Sequence, residues 1–191
     1  MRSKSLSAAE KIFRVNMTKK ELMSQLENAK NNYILGLTAI SLFSNEKVYP
    51  VLEDSHAQFG TYTVEFKQVK NMLSKPADRE ISIKEFLTSQ IRALIKESFE
   101  LIKNYCDETN QGSKFKAEPW YQFARMIRNC LSHNFKFEFR KYDKTLLPVT
   151  WKSRTIDASM DGKHLELKFF GYVETWELFM EYQKLVEKEL A

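Results

Sequence analysis

Glycine and proline are scarce in this sequence, with 5 and 4 copies among 191 residues. So few turn formers exclude a fold of many short strands and favour long helices. Cysteine is scarcer still. Cys106 and Cys130 form no close-spaced pair, which excludes a disulfide scaffold and a Cys-x-x-Cys metal or redox motif. The 3 histidines, His56, His133 and His164, show no ligand spacing, and Asp54 with His56 in "EDSHAQF" makes no metal set, so no metal is expected. A Gly-rich phosphate loop and a Gly-x-Ser-x-Gly elbow are both missing, so no cofactor is expected and those nucleotide and hydrolase chemistries fall away. Long apolar runs are missing too. The longest, "YILGLTAISLF" (33–43), is broken by Gly36, Thr38 and Ser41 and falls short of the ~20 residues of a membrane span. The N-terminal "MRSKSLSAAEKIF" has basic residues with no apolar run behind them, which argues against a secretory signal. The reading is a cytoplasmic protein with no membrane partner.

What is present describes a globular chain. Hydrophobic residues make up 43% and charged residues 29%, enough for one sizeable core in a single domain over 1–191. The net charge of +5 and the isoelectric point near 9.0 suit a polyanionic partner.

The pattern predicts four principal helices. The first opens at Thr18, where "TKKE" pairs Thr18 with Glu21 in a capping box, and its stripe is Leu22, Leu26, Ala29, Tyr33, Leu37 and Ile40. It ends near "SNEK", before Pro50. A weaker segment follows, with a short helix around "VEFKQVKNML". The second helix is expected to open at Ser82, where "SIKE" offers another capping box with Glu85, and to bury Phe86, Leu87, Ile91, Leu94, Ile95, Phe99, Ile102 and Tyr105. After the polar "DETNQGSK", the third runs through "PWYQFARMIRNCLSHNFKF" (119–137), with Pro119 in its first turn. Asp161-Gly162 then signals a β-hairpin in which Ala158 faces Leu165 and Ile156 faces Leu167. The last helix, from about Val173 to Leu190, turns Trp176, Phe179, Met180 and Leu185 inward. The expected fold class is all-α: a helical bundle over 18–134, a small β-hairpin within 146–170 and a C-terminal helix over 173–190.

The third helix carries the chemistry. At about 100° per residue, with Arg128 at zero, Ser132 falls near 40°, Arg125 near 60°, Asn129 near 100° and His133 near 140°. Trp120, Phe123, Ala124, Met126, Ile127, Cys130 and Leu131 fill the opposite arc, and Cys130 there reads as inert packing. Tyr121 lies beside Arg128. The polar strip contains no lysine in a lysine-rich chain, and it joins the guanidinium fork, suited to phosphate, with the side chain that titrates near neutrality.

"RNCLSH", Arg128 followed after four residues by His133 with Asn129 directly behind the Arg, resembles the Arg-x(4–6)-His motif of the HEPN superfamily. The order of elements is similar over most of the chain: two long helices, then the motif helix. The resemblance implies a metal-independent endoribonuclease of a toxin–antitoxin, abortive-infection or related defence system. It also implies a homodimer whose motif helices face each other, an RNA substrate and an antitoxin protein as a possible partner. One subset of the superfamily places Tyr two residues after the His and pairs with a nucleotidyltransferase antitoxin. Phe135 stands there in this chain, so the tyrosine such an antitoxin would modify is missing.

The roles expected on this basis are catalytic for Arg128, His133 and Asn129 and substrate-binding for Arg125, Ser132 and Tyr121. His133 would transfer the proton, with Arg125 and Arg128 helping to keep its ring neutral, and Arg128 would hold the phosphate through two parallel hydrogen bonds. Asn129, one turn away, would orient ring or phosphate. For Arg125 a salt bridge to Glu118 or another carboxylate is an equal reading, and His56 and His164 read as surface histidines. Two other functions stay open: a non-catalytic HEPN-like dimerisation or ligand-binding bundle, and an RNA-binding module that does not cut.

Overall fold

The Thr18 capping box starts the first helix of the computed structural model, which describes residues 17–191. The N-terminal segment read for a secretory signal lies outside the described residues. Thr18 accepts the Glu21 N–H, and the Glu21 carboxylate accepts the Thr18 N–H at 2.7 Å. Helix α1 (Lys19–Phe43) then buries Leu22, Leu26, Ala29, Tyr33 and Gly36, with Leu37 and Ile40 half-buried, as the stripe predicts. Gly36 has a packing reason: a Cβ there would come within 2.6 Å of the Gln90 side chain on the neighbouring helix.

A short α2 (Tyr49–Glu53) leads into strands β1 (His56–Phe59) and β2 (Tyr62–Glu65), an antiparallel hairpin turned at Gly60, whose φ of 60° suits glycine. This hairpin was not expected. The expected short helix begins later, as α3 (Lys67–Leu73). The second long helix also starts earlier than Ser82. α4 (Pro76–Arg92) opens on Pro76, and the Ser82 hydroxyl turns to the Met72 sulfur at 3.0 Å instead of capping. A π-helical turn (Ala93–Glu97) joins α4 to α5 (Ser98–Glu108) without a break. Ile91, Leu94, Ile95, Phe99, Ile102 and Tyr105 are buried along it, whereas Phe86 remains 39% exposed.

Helix α6 (Gly112–Ala117) precedes α7 (Tyr121–Ser132), so Pro119 sits in the turn before α7 and not in its first turn. Helix α8 (Lys141–Leu146) follows, then β3 (Val149–Trp151) and β4 (Arg154–Ile156), and finally α9 (Tyr172–Lys188). The C-terminal hairpin is therefore real but displaced. Its turn is Lys152-Ser153, and Ile156 pairs with Val149 rather than with Leu167. Asp161-Gly162 follows a 3-10 turn (Ala158–Met160) and sends the chain back beside residues 135–137: Leu165 donates to the Phe135 carbonyl, and Gly162 to that of Phe137 at 2.8 Å.

The described residues are thus mainly helical, with two small antiparallel hairpins among them. One apolar cluster runs from Leu22 on α1 to Leu190 beyond α9 and includes the buried face of α7. In α9, Phe179 and Leu185 are buried and Trp176 is half-buried, but Met180 is 45% exposed and does not face the core. Among the described residues, no helix is long and apolar enough to cross a membrane.

Candidate functional site

Helix α7 is held on its apolar side by Phe123, Ala124, Met126, Ile127, Cys130 and Leu131, all buried. Phe123 meets Trp151 of β3 at 5.3 Å between ring centroids, so the C-terminal hairpin braces the helix that carries the motif. Burial pushes the Cys130 thiol up to about 12, which leaves it an inert packing group.

The polar strip does not form one solvent face. Its Arg128 edge lies against α5. The Arg128 guanidinium pairs with Glu100, donates to Asn129 Oδ1 at 2.8 Å and sits 5.9 Å from the centre of the Phe99 ring. Partial burial lowers the Arg128 pKa from its ordinary value. Tyr121, one edge further, is in the core: it is edge-on to Phe115 at 4.9 Å and stacked on Phe99 at 5.9 Å, so it offers no surface to a substrate. The wheel places Tyr121 beside Arg128 correctly; that edge faces a neighbouring helix rather than water.

Arg125 is tied elsewhere. It pairs with Asp143 of α8 at 2.7 Å, its Nε donates to Gln122 at 3.0 Å, and its guanidinium lies 5.4 Å from the Tyr142 ring centre. The carboxylate partner is therefore Asp143 and not Glu118. Ser132 is exposed, and its hydroxyl returns to the Arg128 carbonyl at 3.0 Å, the usual i−4 bond of a helical serine.

His133 caps the C-terminus of α7, its N–H donating to the Asn129 and Cys130 carbonyls. Its side chain is 43% exposed, and Nδ1 lies 3.4 Å from the Glu138 carboxylate. That carboxylate, and not the two arginines, is the charged group paired with the ring, because both guanidiniums are turned to acids on other helices. The Asn129 side chain accepts from Arg128 and makes no hydrogen bond to the His133 ring. A shallow cavity of about 250 Å³ adjoins the imidazole, lined by Lys136, Glu138, Arg140 and Asp161 among others; Arg128 does not line it.

Directly after His133 the backbone turns through two residues in the left-handed region, Asn134 at φ 53° and Phe135 at φ 61°. Phe135 is thereby buried beneath Arg92 of α4, whose guanidinium sits 4.9 Å from its ring centre. Glu100, Asp143, Glu138 and Arg92 were not foreseen. Only Asp143 left a local trace, three residues after Arg140, whose N–H it accepts at 2.9 Å. Glu138 is returned to His133 by the left-handed turn at Asn134 and Phe135, and Glu100 and Arg92 are brought in by tertiary packing. Among the described residues, no group of three or more His, Cys, Asp and Glu could hold a metal ion.

No family model, curated protein or solved structure matches this chain.

Proposed function

We propose that this chain is a HEPN-type, metal-independent endoribonuclease of a bacterial toxin or phage-defence system, acting in the cytoplasm as a homodimer. The observation that carries the reading is the exposed His133 imidazole at the end of α7, five residues beyond Arg128 and beside a surface that includes Lys136 and Arg140. In the reaction His133 takes the proton from a ribose 2′-hydroxyl as that oxygen attacks phosphorus. The P–O5′ bond breaks, the 5′ oxygen takes a proton from water and the imidazolium returns its own to solvent, leaving a 2′,3′-cyclic phosphate and a free 5′-hydroxyl. Arg128 exchanges Glu100 for the phosphate and stabilises the charge that develops on it. Asn129, bonded to Arg128, positions the guanidinium. A second chain, docked about a two-fold axis with its own α7, closes the cleft, and an antitoxin would act by blocking that face.

The test is cleavage of single-stranded RNA in the presence of EDTA. Wild type should yield 2′,3′-cyclic phosphate ends, and His133→Ala should lower the rate by about 10²–10⁴-fold with unchanged thermal melting, because the side chain is exposed. Intact RNA in the wild-type reaction rules the nuclease out. A specific observation favours one other reading: both strip arginines are already neutralised by carboxylates of the same chain, which suits a non-catalytic bundle that uses α7 for packing. Absence of both cleavage and RNA binding would select it.

A further inference from the structure

A second cleft adjoins Asn134 and Phe135, between α4 and the segment 164–168. Its volume of about 780 Å³ falls within the ~300–1,000 Å³ of small-ligand sites. Asn134, the residue after His133, forms its near wall, and Lys84, Ser89 and Arg92 line the α4 side. His164 and Lys168 stand opposite.

The charges in this cleft are unevenly matched. Glu166 is taken up by Lys168 at 2.7 Å. Arg92 and Lys84 have no carboxylate within 4.0 Å among the described residues, and Arg92 Nε is buried without a hydrogen-bond partner. Glu85 is the acid left to face them. Among the described residues no carboxylate neutralises Arg92, in contrast to Arg125 and Arg128; Arg140, beside the imidazole, is likewise free of an ion pair but lies on the other cavity. The Arg92 guanidinium carbon sits over the Phe135 ring, 4.9 Å from the ring centre, a contact that restrains the side chain before any ligand arrives. The two left-handed residues, Asn134 and Phe135, are what place that ring under it.

We propose that this cleft seats the backbone of single-stranded RNA next to the cleavage position, with Arg92 as its principal phosphate contact and Lys84 as a second. The inference rests on the ribonuclease reading for its substrate. A guanidinium held over an aromatic ring keeps N–H donors for a phosphate. The Asn134 amide adds a donor on the near wall, while the Thr88 and Ser89 hydroxyls, which donate to the Lys84 and Glu85 carbonyls, keep lone pairs that can accept from ribose hydroxyls. A strand lying here would pass from Arg92 over Asn134 to the imidazole.

Binding is separated from cutting by working in a His133→Ala background and following fluorescence anisotropy of a 5′-labelled uridine oligonucleotide. Adding Arg92→Ala should weaken binding by about tenfold or more and reduce the slope of log Kd against log salt by about 0.7. Lys84→Glu, at an exposed position with no packing role, should weaken binding in the same direction even if Arg92→Ala disturbs the fold. Lys20→Glu, at the end of α1 remote from Gly36 and Gln90, makes the same charge change as Lys84→Glu and should leave binding unaltered. Equal affinity in the parent, Arg92→Ala and Lys84→Glu proteins overturns the proposal, as does a parent that binds no RNA. Arg92-dependent binding by a wild-type protein that does not cut would uphold the cleft and refute the nuclease. Cutting with no dependence on Arg92 or Lys84 would do the reverse.

Discussion

Asp143 is 3% exposed, and the Arg125 guanidinium is its counter-charge at 2.7 Å. Two opposite charges removed from water repay their desolvation only while both are present. Asp143→Ala leaves Arg125 without its acid and the Arg140 N–H without its acceptor, and it should cost about 3–5 kcal/mol. Urea unfolding checks this: the midpoint should fall with an unchanged slope. Asp143→Asn keeps the shape and an acceptor and should lose less. This pair also marks how much of the site could be read from the sequence. The helical repeat correctly put Arg125, Arg128 and Asn129 on the side of α7 away from the apolar arc, because that repeat is a local property of the chain. It could not say that this side is met by α5 and α8, which lie 28 residues before Arg128, at Glu100, and 18 after Arg125, at Asp143.

Among the elements, the N-terminus of α9 is tied to the C-terminal hairpin. Glu174 accepts from Arg154 of β4 and from the Gly171 N–H at 3.0 Å. Burial by itself raises the Glu174 carboxyl, but the Arg154 bond and the backbone N–H outweigh it, and its pKa is lowered from the ordinary 4.5. A carboxyl whose pKa is depressed by folding adds stability above its unfolded pKa, and that stability is lost as pH falls through the folded value. Glu174→Gln should therefore lower the thermal midpoint near neutrality by about 3–6 °C, the equivalent of about 1–2 kcal/mol. The mutant should also lose less than wild type between about pH 6 and about pH 3. Parallel wild-type and mutant curves across that range would show that another carboxylate carries the acid response. The hairpin itself was misplaced for a physical reason. Lys152-Ser153 has none of the usual glycine or asparagine, yet Lys152 holds a φ of 50° while its ammonium pairs with Glu177 at 2.9 Å and lies over the Trp151 ring. Asp161-Gly162 does turn, with Gly162 at φ 77°, but its Asp anchors Lys144 and the Phe139 N–H rather than a two-stranded ladder. The long helices were legible because a capping box and repeated apolar positions dictate them locally, as in α1.

At the scale of the whole molecule, Arg128 and His133 occupy different surroundings within one chain: the first against α5, the second at the exposed end of α7 beside a shallow cavity that Arg128 does not reach. If both are needed at one phosphate, they must come from two chains, and this has a measurable consequence. In a symmetric dimer each shared pocket takes Arg128 from one protomer and His133 from the other. Homodimers of Arg128→Gln lack the guanidinium in both pockets, and those of His133→Ala lack the imidazole in both. Mixing the two inactive proteins and letting subunits exchange produces heterodimers in which one pocket is intact and the other lacks both groups. Random exchange makes about half the dimers mixed, with one working pocket of two, so about a quarter of wild-type activity should return. A pocket confined to a single chain gives no recovery at any mixing ratio, because every chain in the mixture lacks one of the two groups. Arg128→Gln is the substitution to use, since it keeps a donor near Glu100, whereas alanine would leave that half-buried carboxylate unsatisfied and confuse lost folding with lost chemistry. Recovered activity that rises and falls with the fraction of mixed dimers, measured by native mass spectrometry, would establish the shared pocket; a mixture that exchanges fully and stays inactive would eliminate it.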